Sequence, residues 1–174
     1  METWDIYDKN RIKIGNCVRG DSFAPDTYHI VVDIWVLNGD GEFLVTRRAP
    51  EKNYAGFWEN SAGSILEGES SIEGASRELY EETGIATLED ELILIHERME
   101  ETAHWDSYFV YKENKPIVTL QAGETDDYRW VTLKELDQMA EQGILAGPVI
   151  KRYKLNREGL IHYLKERITG AYGE

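Results

Sequence analysis

The sequence predicts an α+β fold: a mixed β-sheet sandwiched between α-helices in an α/β/α arrangement. Three observations point there. Apolar, β-branched runs of strand length alternate irregularly with helical segments, which suits a mixed sheet better than a regular βαβ series. The turn Asn38-Gly39-Asp40-Gly41 joins two such runs directly. The helical stretch before Gly84 opens on serines followed by Glu73 and stops at that glycine. No repeat, low-complexity tract or Pro/Gly/Ser-rich linker divides the 174 residues, so residues 1–174 are read as a single domain with a short N-terminal β-hairpin.

Taken in order, the hairpin comprises Trp4–Tyr7, a turn at Asp8-Lys9-Asn10 and Arg11–Ile14. Tyr28–Leu37 is apolar and β-branched, as a buried strand requires, and Glu42–Arg47 is its return after the Asn-Gly-Asp-Gly turn. A loop from Arg48 to Gly56 precedes a short strand at Phe57–Glu59. The next helix begins at Ser70 or Ser71 and ends at Gly84. Strands follow at Leu92–Arg98, Trp105–Lys112 and Tyr128–Thr132. Leu133–Glu141 is helical up to Gly143, Pro148 is placed to open another helix, and Asn156 to cap a last one through Glu166.

Composition narrows the class. Acidic residues outnumber basic ones 33 to 19, a formal charge of −14 that repels nucleic acid and anionic membranes. No apolar run is long enough to cross a bilayer. The start, Met1-Glu2-Thr3-Trp4-Asp5, has neither the basic nor the apolar stretch of a signal peptide. The one cysteine, Cys17, has no internal partner, and a small buried hydrophobe is the expectation for it. A cytoplasmic protein without nucleic-acid or membrane partners is the expectation. The N-terminal hairpin and exposed aromatic residues could support a homodimer.

Gly63-Ser64-Ile65-Leu66-Glu67-Gly68-Glu69 and, seven residues on, Arg77-Glu78-Leu79-Tyr80-Glu81-Glu82-Thr83-Gly84-Ile85 carry the most specific information. At about 100° per residue, Ile72, Ala75 and Leu79 share the stripe that faces the sheet. Glu78, Glu81 and Glu82 fall on an adjoining arc, close enough for their charges to repel. Hard divalent cations, magnesium or manganese, relieve such repulsion with oxygen ligands. Gly63 and Gly68 free the preceding loop to approach metal and phosphate, and Glu69 can pair with Arg77 to fix it.

This stretch matches the signature box of the Nudix hydrolase family at every defining position. The resemblance implies a mixed sheet between helices and hydrolysis of a diphosphate linked to another moiety, X. Carried over residue by residue, it makes Glu78, Glu81 and Glu82 metal ligands, with Glu81 and Glu82 catalytic. Gly63 supplies a backbone carbonyl, and Glu69 and Arg77 are the supporting pair. Many members draw a further glutamate from outside the box. Glu124, six residues before Trp130, is the candidate, with Glu100, Glu101 and Asp106 as competitors.

Val45-Thr46-Arg47-Arg48-Ala49, Lys52, Gly56, Trp58 and Asn60-Ser61 also resemble isopentenyl-diphosphate isomerase, a Nudix relative. There the residues matching Arg48 and Lys52 contact the substrate diphosphate. The isomerase cysteine is replaced by Ala62 and a required histidine by Ser64. Its catalytic acid falls near Asp106 and a metal-binding glutamate at His104, while His29 is kept. The expectation is therefore a metal-dependent pyrophosphohydrolase whose small-molecule diphosphate substrate is a nucleoside di- or triphosphate or a related nucleotide derivative. The base could stack on Trp58, Phe57, Tyr54 or Trp105. The alternatives are an isomerase-like enzyme and a non-catalytic nucleotide-binding sensor.

Overall fold

The computed structural model describes residues 2–168; Met1 and residues 169–174 of the expected 1–174 domain lie outside the described residues. The hairpin pairs β1 (Thr3–Tyr7) with β2 (Lys13–Val18) as a separate two-stranded sheet. The main sheet has β3 (His29–Asn38) and β8 (Ala103–Lys112) at its centre, parallel from His29↔Ala103 to Asn38↔Lys112. β7 (Ile93–Glu100) is antiparallel to β8, and β6 (Ser61–Ser64) is antiparallel to the first half of β3. β4 (Glu42–Arg48) leaves the Asn38–Gly41 turn, touches β3 only at Leu37↔Phe43, then pairs with β9 (Thr125–Thr132) and β5 (Trp58–Glu59). The hairpin turn forms as expected, but the two strands it joins diverge at once.

Helices cover both faces. α1 (Ser71–Thr83) packs Ala75 and Leu79 against Ile30, Val32, Ile34, Tyr108 and Val110. α2 (Leu133–Glu141) and α3 (Gly147–Arg167) pack against Trp35, Leu37, Phe43, Val45 and Phe109 on the other. Alternate residues of β3 thus enter two cores, which is why its run carries no polar face. α1 has the expected start, with Ser70 and Glu73 in a reciprocal capping box, and its end, with Gly84 left-handed at φ 72°.

Three expectations are corrected. Asn156 caps nothing: α3 is continuous, because Val149, Tyr153, Leu160 and Leu164 form one buried stripe through it. Cys17 is only partly covered on β2 rather than buried in a core. β6 was expected as loop, since Ser-Ala-Gly-Ser lacks the apolar residues that mark a strand. No described helix is long and apolar enough to cross a membrane.

Candidate active site

β6 and α1 build the site together. Gly63 on β6 sits so close to α1 that a Cβ there would lie 2.1 Å from Glu78 Cδ. The loop between them is fastened by Glu69. Its carboxylate accepts from Arg77 Nε (2.7 Å) and Nη2 (2.9 Å) and from the Leu66 amide (2.8 Å). Burial pulls Glu69 upward, but these donors hold it below the usual carboxylate range. Arg77 reaches further, donating to the Ser64 carbonyl (3.1 Å), to Glu78 (2.9 Å) and to Glu81 (3.1 Å). The pair expected from the sequence is therefore the centre of a larger net, and Arg77 is the counter-charge of two box glutamates.

Glu82 has no such relief. It is buried, and burial pushes its carboxyl well above the ordinary value; the charges of Glu59 and Glu78 push the same way, against the Ser61 hydroxyl and Ala62 amide. Its Oε2 accepts no hydrogen bond from any described residue. Burial raises Glu78 too, with Arg77 opposing. Glu59, at the end of β5, is the buried acid that sequence reasoning missed. Burial raises it despite Arg48, whose Nη1 donates to it at 2.5 Å.

These groups border a cavity of about 250 Å³. Glu78, Glu81 and Glu82 form one wall, and Arg48, Lys52 and Glu124 stand on another. Glu124 arrives there because its loop hooks onto the end of α1: Thr119 N donates to the Thr83 carbonyl (2.8 Å) and Gln121 N to the Glu82 carbonyl (3.2 Å). Glu124 is ion-paired with Lys52. Arg48 and Lys52, the two cations expected at the diphosphate, thus border the cavity, each engaged by a carboxylate.

A third wall was not anticipated. Glu2, Trp4 and Arg19 of the N-terminal hairpin line the same cavity. The hairpin is docked by Arg11 on Asp106 and Glu97, by the Asp8 carbonyl on His104 Nε2 (2.9 Å), and by His29 stacked against Trp4 and Phe23 (4.9 and 5.0 Å between centroids). Asp106, proposed as an alternative base, is consumed in this docking, where it also accepts from Ser71. Glu100 lies on β7, paired with Arg98 and Lys151, and Glu101 in the turn after it; neither borders the cavity. Strand register carries these three acids elsewhere. Of the aromatic candidates, Trp58 is core, 5% exposed under Arg129, whereas Tyr54 and Trp105 line a neighbouring cavity.

The donor set suits a hard divalent cation, with only carboxylate and backbone oxygens offered and one buried Glu82 oxygen unpartnered. Among the described residues, no three acidic, histidine or cysteine side chains form a ready-made cage. Two of the three glutamates are turned to Arg77.

A model of the NUDIX domain matches residues 27–153. A Nudix hydrolase of Listeria monocytogenes is 33% identical over 152 residues, covering 82% of this chain and 87% of the relative. An isopentenyl-diphosphate Delta-isomerase of Photorhabdus laumondii is 30% identical over 141 residues, 75% of this chain and 77% of the relative. The crystallised NUDIX domain of Shewanella oneidensis NrtR, complexed with ADP ribose, superposes with a TM-score of 0.64 at 18% identity, over 82% of this chain and 94% of that one.

Proposed function

Since the chain belongs to the Nudix hydrolase family, we propose that it is a divalent-metal-dependent pyrophosphohydrolase acting on a nucleoside di- or triphosphate or a related nucleotide derivative. The observation that carries the reading is Glu82: a buried carboxylate, crowded by Glu59 and Glu78, with an oxygen that no described residue satisfies. Keeping such a group is costly for folding alone, and a cation of charge +2 offsets that cost.

Glu78, Glu81, Glu82 and the Gly63 carbonyl would hold magnesium or manganese, which when bound would supply charge neutralisation and Lewis-acid polarisation of a phosphoryl oxygen. Arg48 and Lys52 grip the diphosphate, exchanging Glu59 and Glu124 for phosphate oxygens. Release of Lys52 frees Glu124 to accept a proton from the attacking water. Oxygen then adds to one phosphorus as the bridging P–O bond breaks, and the electron pair leaves with the departing phosphate. Arg77 and Glu69 keep the box loop in place throughout. Isomerisation is disfavoured by Ala62 and Ser64, which supply neither a thiol nor an imidazole. The ligand in the Shewanella domain supports a nucleotide-derived substrate.

The test is phosphate and pyrophosphate release across nucleoside di- and triphosphates, nucleotide sugars, ADP-ribose, dinucleoside polyphosphates and isopentenyl diphosphate. Each is run with and without magnesium, for the wild type and Glu82→Gln. Metal-dependent turnover lost in the variant is expected. Tight binding of one ligand without turnover would instead favour a sensor.

A further inference from the structure

A second cavity, of about 330 Å³, opens beside the first and shares Arg48, Ala62, Gly63 and Ser64 with it. Val31 and Trp105 line the sheet side, the start of α3 another, and Tyr54 the loop side. Arg152 projects into it from α3 while only 5% exposed. Its guanidinium carbon lies 4.4 Å from the Trp105 ring centroid. Its nearest acid, Asp33, is 3.9 Å from Nε, too long for a hydrogen bond, and already accepts from Ser107 and Asn60. Among the described residues the guanidinium donates to nothing, and Nε is fully enclosed without a partner. Trp105 and Asp33 compensate the charge but leave the hydrogen-bonding capacity of a nearly buried guanidinium beside the cavity unused.

The opposite side carries an independent sign. Tyr54 is 51% exposed and sits at φ 59°, a left-handed conformation that an aromatic residue adopts only under constraint. The constraint is visible: Arg48 Nε donates to the Asn53 carbonyl at 2.5 Å, tying the loop to a cation on the rim of the first cavity. The loop thus holds an aromatic ring up beside the cavity mouth.

We propose that this cavity receives the X moiety of the substrate, and that X is a nucleoside whose base turns carbonyl oxygens toward Arg152. Guanine (O6) and uracil (O4) meet that requirement at the edge where adenine (N6) and cytosine (N4) carry an amino donor. Adenine sets its N6 donor beside its N7 acceptor, and a guanidinium cannot accept a hydrogen bond. An isoprenoid tail would leave Arg152 buried without a hydrogen-bond partner. The inference rests on the hydrolase reading for where the diphosphate lies.

The test is calorimetric binding of GMP, UMP, AMP and isopentenyl diphosphate to the intact chain, alongside turnover of GDP, UDP and ADP with magnesium. A charge-assisted hydrogen bond predicts Kd values for GMP or UMP about tenfold or more below that for AMP. Arg152→Met should erase that difference while AMP affinity holds within about twofold. Tyr54→Ala, an exposed change, should weaken all three nucleotides together. Should Arg152→Met fail to fold, the wild-type preference and Tyr54→Ala decide. Equal affinities in the wild type, no nucleotide binding, tighter binding of isopentenyl diphosphate, or a folded Arg152→Met that keeps the preference would each overturn the proposal. The monophosphates carry no diphosphate to cleave. Selective binding without turnover therefore removes the hydrolase reading and leaves the base site; turnover without selectivity does the reverse.

Discussion

Gly63 and Glu78 are in contact across the site, backbone against carboxylate, with no room between them for a methyl group. The atoms in the way are the far end of a flexible side chain, so the fold can yield where the chemistry cannot. Gly63→Ala should leave the melting temperature within about 3 °C, because a shift of that size is roughly 1 kcal/mol for a chain of this length. It should lower kcat by about tenfold to a hundredfold, the scale of a 1 Å misplacement. Thermal melts and steady-state kinetics on one preparation check both halves; equal losses of stability and activity would show that Gly63 serves the fold.

Arg77 answers for the charge of Glu78 and Glu81 while its other edge is locked to Glu69. Arg77→Lys supplies one charge but not the fork, so it should not rescue the loss seen in Arg77→Ala. Both should weaken magnesium activation by about tenfold to a hundredfold, as removal of a ligand-orienting group does. A magnesium titration of activity reads this directly, and full rescue by lysine would reduce Arg77 to a point charge.

Glu82 gives the metal-free protein a stability that depends on pH. Its folded pKa is raised above the unfolded value, chiefly by burial. The folded state therefore binds the extra proton, and stability falls as pH rises from about 4.5 through the folded value, then levels off. Glu82→Gln removes that fall, so in chelator at pH 8 the variant should melt above the wild type, by about 2–4 °C for each kcal/mol recovered. Added magnesium should raise the wild-type midpoint more at pH 8 than at pH 5 and barely move the variant. A variant less stable than its parent at pH 8 would contradict the burial argument.

Glu124 and Lys52 form one ion pair at the rim, and the proposed reaction separates them. Glu124→Gln should reduce kcat by about a hundredfold or more, the usual worth of a positioned base. Lys52→Ala should act mainly on KM, as loss of a ground-state grip does. Glu100→Gln and Glu101→Gln, both away from the cavity, should stay within about twofold of the parent. If Glu101→Gln proves the damaging change, the assignment of the base fails.

What the sequence disclosed was whatever lies on one element or repeats at one spacing. The capping box of Ser70 and Glu73, the Ala75 and Leu79 stripe, the Glu69–Arg77 pair and the three glutamates sit within some twenty residues, where helix geometry alone brings them together. The parts that stayed hidden are assembled across the chain. Glu59 meets the box only because β5 and β6 bring it beside Glu82. Trp4 and Arg19 reach the cavity through contacts such as Arg11 to Asp106, which no local pattern encodes. Asn156 misled for a related reason: asparagine favours helix starts in general, but here a buried stripe contributed by the rest of α3 carried the helix past it. Arg152 was one basic residue among many until the fold enclosed it.

The hairpin shares with the main sheet little more than the Tyr7–Tyr28 bridge and its side-chain fastenings. Its residues 3–18 also lie before the segment matched to the domain model. One wall of the cavity is therefore an N-terminal addition, yet it is fastened to the box loop itself, where the Glu67 amide donates to the Thr3 carbonyl (2.8 Å) and the Gly68 amide to Asp5 (3.1 Å). A change in the hairpin would thus reach two places at once, the wall it forms and the loop that leads into α1.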